Sequence, residues 1–291
     1  MPATLTKQSR CKVNLLLNIL GKRADGFHEL ETVMYPLDLF DRLTFKHGGS
    51  SFRLTCTDPS LAVDETNLVH RAATAFFKST GIKDGVEIHL EKQIPLAAGL
   101  GGGSGNAATT LLGLNELFGG PLPTSRLDEL ASTLGSDVPF FLQDKPAIAT
   151  GRGEKVQPLD SFPALRGSAF LLVHPGFGVS TAWAYQQLAR FPDALNGRAG
   201  RAERLVQLLQ KSDAESAANE FYNSLELPVF EKYPLLAVCR DFLREQGATI
   251  ALMSGSGSTV FGIYPAGAPG KRAEREVRDK FGPCWTAVIE G

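Results

Sequence analysis

Apolar and polar positions along the chain predict strands and helices in mixed succession. KVNLLLNIL at 12–20 is a short apolar run closed by Gly21, which predicts a strand. Asp25-Gly26 is a turn signal. TVMYPL and DRLTF predict two more strands, and HGGSS at 47–51 a hairpin tip. NLVHRAATAFFK at 67–78 has apolar residues at helical spacing, with Gly81 as its stop. VEIHL at 86–90 alternates with the period of a half-buried strand and runs through Pro95 into a glycine-rich segment. Beyond it, apolar residues at 107, 111, 114 and 118 predict a helix that ends at Gly119-Gly120-Pro121. Ser125 and Asp128 resemble a capping box for a helix ending at Gly135, and a polar residue and proline in LGSDVPFFL predict another helix start.

PAIATGRGEKVQPL predicts two strands around Gly151-Arg152-Gly153. Prolines and charges then interrupt the pattern over 158–167, which places a domain boundary there and divides the chain into 1–160 and 161–291. SAFLLVHP predicts a strand, Ser180 a helix start, and 192–204 a surface loop. Two helices, the strands TIALM and TVFGIY around SGSGS, the helix KRAEREVRDKF and the strand WTAVIE complete the chain. Without strict βαβ alternation, the fold class is α+β rather than a doubly wound parallel sheet.

Composition narrows the function. Of 291 residues, 43% are hydrophobic and 21% charged, an ordinary balance for a chain with a sizeable core. A net charge of −1 gives no basic field for nucleic acid or an anionic membrane. Cys11, Cys56, Cys239 and Cys284 have no CxxC spacing, which argues against zinc and fits a reducing compartment. The opening MPATLTKQSR lacks a signal-peptide apolar region, and no run approaches the roughly 20 apolar residues of a membrane span. These features predict a cytoplasmic protein.

The segment GLGGGSGNAA at 99–108 carries the chemistry. No lysine follows its glycines, so it is not a Walker A loop, and its spacing does not give GxGxxG. The physical logic of both motifs still holds. Glycine lets backbone approach phosphate oxygens closely, and the following helix offers unpaired N–H groups. A tightly packed strand-to-helix loop is the simpler alternative.

PLAAGLGGGSGNAA resembles the phosphate loop of the GHMP kinases, the galactokinase, homoserine, mevalonate and phosphomevalonate kinase superfamily. CKVNLLL, GKRADGFHELET, LGSDVPFFL, GRGEKVQPL, FGVSTAWAY, NSLE and MSGSGSTVFG are similar, in order, to segments of one branch, so the resemblance covers nearly the whole chain. It implies a two-domain α+β fold. The N-terminal, ATP-binding domain at 1–160 is ribosomal-protein-S5-domain-2-like, the C-terminal domain at 161–291 is ferredoxin-like, and the active site lies in a cleft between them. It further implies transfer of the γ-phosphoryl of ATP to the 2-hydroxyl of a cytidine-diphosphate-linked methylerythritol, in the non-mevalonate isoprenoid route. Mg²⁺ is expected to arrive with ATP. The expected partner is that small molecule alone, with no nucleic acid and no membrane, on a monomer or weak dimer.

The resemblance also implies residue roles. Asp137 matches the catalytic aspartate and Lys12 its lysine, with Asn14 on the same strand face for a substrate hydrogen bond. Read alone, Asp137 is equally a helix N-cap and Lys12 an ordinary strand-start lysine. Phe27, His28, Thr181 and Tyr185 match substrate residues, with Phe27 and Tyr185 on the two faces of cytosine and His28 at its edge. Trp183 is expected in the core. ATP binding falls to Pro95, Gly99, Leu100, Gly101, Gly102, Gly103, Ser104, Gly105 and Asn106, with Asn67 and Lys92 near adenine. The second glycine loop, 254–258, is expected to support the first.

The chain departs from the pattern at three places. Phe27 stands where some members have tyrosine, Gly105 where the loop often has a second serine, and Arg10-Cys11 precedes Lys12 where a proline is common. The alternatives are another kinase of the superfamily, of homoserine or mevalonate type, and an ATP-binding sensor without turnover on the same fold.

Overall fold

The computed structural model describes residues 4–49, 51–211, 214–267 and 270–290. The backbone folds into two compact units that interleave along the chain. One comprises Met1–Cys11, Leu39–Ile94 and Gly101–Asp144, and the other Lys12–Asp38, Pro95–Leu100 and Lys145–Gly291. These compact units are not the contiguous segments 1–160 and 161–291. The reason is the length of two strands, β1 (Thr4–Lys22) and β2 (His28–His47), each of which contributes one part to each unit.

Both strands exceed the sequence expectation. The apolar run at 12–20 is the buried stretch of β1, while residues 4–10 continue it with exposed positions at Thr4, Thr6 and Gln8. TVMYPL and DRLTF are one strand, not two. Pro36 is tolerated because β2 is paired along that edge only at Leu30–Met34 and Arg42–His47, so the missing N–H falls between two ladders.

In the first unit the strand order is β3 (Phe52–Cys56), β4 (Val86–Glu91), β2. HGGSS is therefore not a hairpin tip. β3 runs parallel to β4, which separates it from β2, and a Cβ on Gly85 would lie 2.6 Å from the Gly49 carbonyl carbon. Ser50 lies outside the described residues. α1 (Leu68–Thr80) is capped by Asn67 and closed by left-handed Gly81, as expected. β4 (Val86–Glu91) alternates buried and exposed positions and leads through residues 92–101 to α2 (Gly102–Leu117). α2 is buried on most sides, and Gly113 lets it lie against Phe45. α1 and α3 (Thr124–Leu134) both pack on it. Pro123, not Ser125, flanks the start of α3, with no side-chain cap; proline's fixed φ suits a helix entry as well as a capping hydroxyl does. The proline in LGSDVPFFL opens only a short 3-10 turn, Pro139–Leu142.

In the second unit β2 pairs with β5 (Ala147–Gly151), which turns into β6 (Lys155–Pro158), and β1 pairs in parallel with β8 (Tyr222–Asn223). Next come β7 (Ala169–His174), α4 (Thr181–Gln187), α5 (Pro192–Leu195), α6 (Arg201–Gln210) and α7 (Ala214–Ala217). The segment 192–204 is thus not a bare surface loop: its Ala194 and Ala202 are fully buried. β8 (Tyr222–Asn223), α8 (Glu226–Lys232), α9 (Pro234–Glu245), β9 (Ile250–Met253), β10 (Val260–Tyr264), α10 (Gly270–Phe281) and β11 (Trp285–Glu290) follow. The order β11-β7-β10-β9, antiparallel throughout with crossovers packed on it, is the split βαβ arrangement of a ferredoxin-like domain, as expected. Leu171, Val173, Ala251, Val260 and Leu243 build its core, each such burial contributing about 1.5–3 kcal/mol for the larger side chains. Trp183 is only partly buried, edge-on to Tyr233 with the Lys232 ammonium 4.1 Å from its ring centroid.

Candidate active site

Lys12 is buried in the second unit, at 2% exposure. Burying a lysine without partners is expensive, and the fold supplies them. Its Nζ donates to Asn14 Oδ1 at 2.5 Å and to the Gly99 carbonyl at 3.4 Å. Asn14 Nδ2 donates to Thr32 Oγ1 at 2.9 Å, so the amide is engaged at both ends and holds the ammonium in place. Strand geometry explains the pair: positions 12 and 14 share one face of β1.

The two glycine-rich segments meet within this unit. Ser254 Oγ donates to the Gly99 carbonyl at 2.9 Å, and Thr259 N–H to Ala98 O at 3.1 Å. A Cβ on Gly99 would lie 2.1 Å from the Ser254 carbonyl oxygen, and Gly99 has φ 76. Only glycine fits there. Ala97, two residues before it, takes φ 51, an unusual value for a residue with a Cβ, and packs on Gly178. Asn223 Nδ2 donates to Met253 O and Gly255 O, tying β8 to the second loop.

A separate aromatic group is assembled by the turn before β2. His28 and Tyr185 have ring centroids 5.2 Å apart, tilted by 40°. Phe27 is 51% exposed, with the Arg152 guanidinium carbon 4.7 Å from its centroid. Burial, and secondarily the charge of Lys22, holds His28 below the usual imidazole range, so its ring is neutral near pH 7. Thr181 Oγ1 and Ser256 Oγ lie 2.8 Å apart, linking the start of α4 to the second glycine loop.

In the first unit, the glycine run opens α2. Gly101 takes φ 71, and no side chain caps the helix. Gly105 N–H closes the first turn on Gly101 O at 2.8 Å, leaving the N–H groups of Gly102, Gly103 and Ser104 directed out of the helix end. That donor set suits a polyphosphate. Lys92 and Asn106 meet around Asp41, which is fully buried. Lys92 Nζ pairs with Asp41 Oδ2, and Asn106 Nδ2 donates to the same oxygen at 2.9 Å and to Ser9 Oγ at 3.0 Å. Asp41 Oδ1 accepts Gln93 N–H at 2.7 Å and Ile94 N–H at 2.9 Å. Asn67 is also occupied: Oδ1 accepts Val69 N–H and Nδ2 donates to Ala62 O. Lys92 and Asn106 thus brace the start of α2 through Asp41, while Asn67 is the cap of α1. Asp137 is half-buried, one residue before the Val138 that flanks the short turn.

Sequence reasoning missed Asp41, Thr32 and Arg152. Asp41 had one signal, an acid inside the apolar register of β2, and Arg152 had another, a charged residue between two glycines.

The chain is similar to known proteins in sequence and fold. The model described as GHMP kinases N terminal domain matches residues 67–145, and that described as GHMP kinases C terminal matches 195–283. A protein of Syntrophotalea carbinolica named 4-diphosphocytidyl-2-C-methyl-D-erythritol kinase is 40% identical over 281 residues, 95% of this chain and 94% of its own. One of the same name from Pelotomaculum thermopropionicum is 44% identical over 262 residues, 89% and 88% of the two chains. A solved 4-(cytidine 5'-diphospho)-2C-methyl-D-erythritol kinase superposes with TM-score 0.82 at 35% identity, covering 99% of this chain and all of its own. The chain belongs to the GHMP kinases and, within them, to the family of the 4-diphosphocytidyl-2-C-methyl-D-erythritol kinases.

Proposed function

We propose that the chain transfers the γ-phosphoryl of ATP to the 2-hydroxyl of 4-diphosphocytidyl-2-C-methyl-D-erythritol. The observation that carries this reading is the buried Lys12 ammonium, fixed by Asn14 at the Gly99 carbonyl of the glycine loop. The names of the relatives at 40% and 44% identity supply the substrate. Matches on either side of residue 160 support ATP-binding and C-terminal family domains at 1–160 and 161–291.

Phosphoryl transfer of this kind is catalysed by positioning and electrostatics. Asp137 accepts the proton of the attacking hydroxyl. Lys12, oriented by Asn14, offsets charge on the transferred group. The segment from Pro95 through Gly99, Leu100, Gly101, Gly102, Gly103, Ser104 and Gly105 holds the ATP phosphates with backbone N–H groups. Asn106, Lys92 and Asn67 shape that loop and the adenine side. Phe27 and Tyr185 stack the cytosine, His28 reads its edge, and Thr181 contacts the substrate. Among the described residues no three His, Cys, Asp or Glu side chains gather as metal ligands. Mg²⁺ is read as entering with ATP, as part of the substrate.

Cys11, Cys56, Cys239 and Cys284, scattered singly along the chain, support a cytoplasmic setting. No helix among the described residues is long and apolar enough to cross a membrane. The test is ADP release with MgATP, comparing the cytidine-diphosphate conjugate with free methylerythritol, homoserine and mevalonate. Turnover of the conjugate alone is expected. Equal turnover of homoserine or mevalonate would move the chain to another branch, and ATP binding without any turnover to a sensor.

A further inference from the structure

The register of β2 on β5 sets the position of Arg152. Leu30 pairs with Gly151, so the next residue of the hairpin lies beyond that ladder, beside the turn carrying Phe27 and His28. Gly151 at φ 74 and Gly153 at φ 105 bend the chain on either side of it. Glu154 Oε2 accepts the Arg152 backbone N–H at 2.7 Å, which pins the turn.

The guanidinium is left over from this arrangement. It lies 4.7 Å from the centroid of the half-exposed Phe27 ring. Its nearest carboxylate, Glu154, is 3.9 Å away, beyond hydrogen-bond distance. The neighbouring Arg23 differs, because Asp25 at 3.1 Å and Glu29 at 2.6 Å neutralise it. Among the described residues no protein group accepts a hydrogen bond from the Arg152 guanidinium. Lys22 adds a second positive charge near His28. A cation with an unused planar fork, stacked at an exposed aromatic, suits a nucleotide whose base lies on the ring and whose phosphates reach the fork.

We propose that Arg152 reads the diphosphate of the cytidine-linked substrate, making it a specificity-determining residue for that anionic group. This rests on the reading of the chain as a cytidine-linked alcohol kinase. It separates two contributions: Phe27, His28 and Tyr185 select the base, and Arg152 selects the charge attached to it.

Calorimetric titration of the full chain with cytidine, CMP and CDP, repeated with Arg152→Gln and Arg152→Lys, tests this. The unsubstituted chain should bind CDP at least about tenfold more tightly than cytidine, as a charge-assisted contact requires. Arg152→Gln should remove most of that preference and change cytidine affinity by less than about twofold. Arg152→Lys should keep part of it, as a point charge without the fork, and guards against a loss due to misfolding. Equal losses for cytidine and CDP would overturn the proposal, since Arg152 would then serve only to cover Phe27. Unchanged CDP affinity in Arg152→Gln would overturn it as well. If the unsubstituted chain binds MgATP but no cytidine ligand, the substrate reading fails and the proposal with it.

Discussion

The substitution Asp137→Asn removes a proton acceptor while keeping the side chain's size. We expect kcat to fall by ~10²–10⁴ with KM for the cytidine-linked alcohol little changed, measured as steady-state ADP release. A kcat within about threefold of the unsubstituted chain would remove Asp137 from the chemistry. Gly105 carries a prediction of another kind. As sequence it reads as a lost loop hydroxyl. In the fold, a Cβ there would lie 2.8 Å from the Arg10 carbonyl and 2.9 Å from Ser9 Oγ, so the glycine is a contact between α2 and β1. Gly105→Ser should therefore cost about 1–3 kcal/mol of stability in a denaturant titration instead of improving ATP use. A more stable variant with lower KM for ATP would show that the hydroxyl matters more than the space. Lys12 illustrates the limit of reading single residues. Its type and strand position were legible, but its burial depends on Asn14 and on a carbonyl 87 residues away in the chain.

Elements whose signals are local were legible from the sequence. Asn67 and Gly81 bracket α1, and Ser180 opens α4 by accepting Trp183 N–H. The start of α6 was not legible, because its cap comes from β2. Glu31 Oε1 accepts Arg201 N–H at 2.8 Å and Ala202 N–H at 3.2 Å, and Oε2 accepts Gly200 N–H at 3.0 Å. A carboxylate at a helix N-terminus satisfies orphan donors and opposes the helix dipole. Without that partner the segment reads as a polar loop. Glu31→Ala should destabilise the chain by about 1–3 kcal/mol, since buried N–H groups lose a charged acceptor. Amide exchange at residues 200–202 should quicken more than exchange in α1. Uniform quickening across both helices would mean that Glu31 supports the fold generally and not this helix start. The long β2 was missed for a related reason: what keeps Pro36 inside one strand is the spacing of its partners.

At the scale of the whole molecule, composition and element types were legible, but the way β1 and β2 serve both compact units was not, because strand pairing is set by distant segments. The same distance effect governs how stability responds to pH. His174, at the end of β7, is 6% exposed. Ser258 Oγ donates to Phe177 O, so the Ser258 oxygen accepts from His174 Nδ1, which therefore carries the proton of the neutral ring. Burial holds His174 below its ordinary value of 6.5. The folded chain thus binds fewer protons than the unfolded chain below that pH. The contribution is present above pH 6.5 and is lost as pH falls through the folded value, with a slope of at most about 1.4 kcal/mol per pH unit. Glu226, raised by burial despite Met253 N–H and Arg240, works in the opposite direction above the ordinary carboxylate value. The His174→Gln substitution isolates the one contribution, because every other group is common to both proteins. Denaturant titrations at intervals from pH 7.5 to 5 should show the stability difference between the two proteins shifting in favour of His174→Gln below about pH 6.5. A constant difference across that range would mean that His174 takes up its proton in the folded state as easily as in the unfolded one, and that the packing around Ser258 admits the charge.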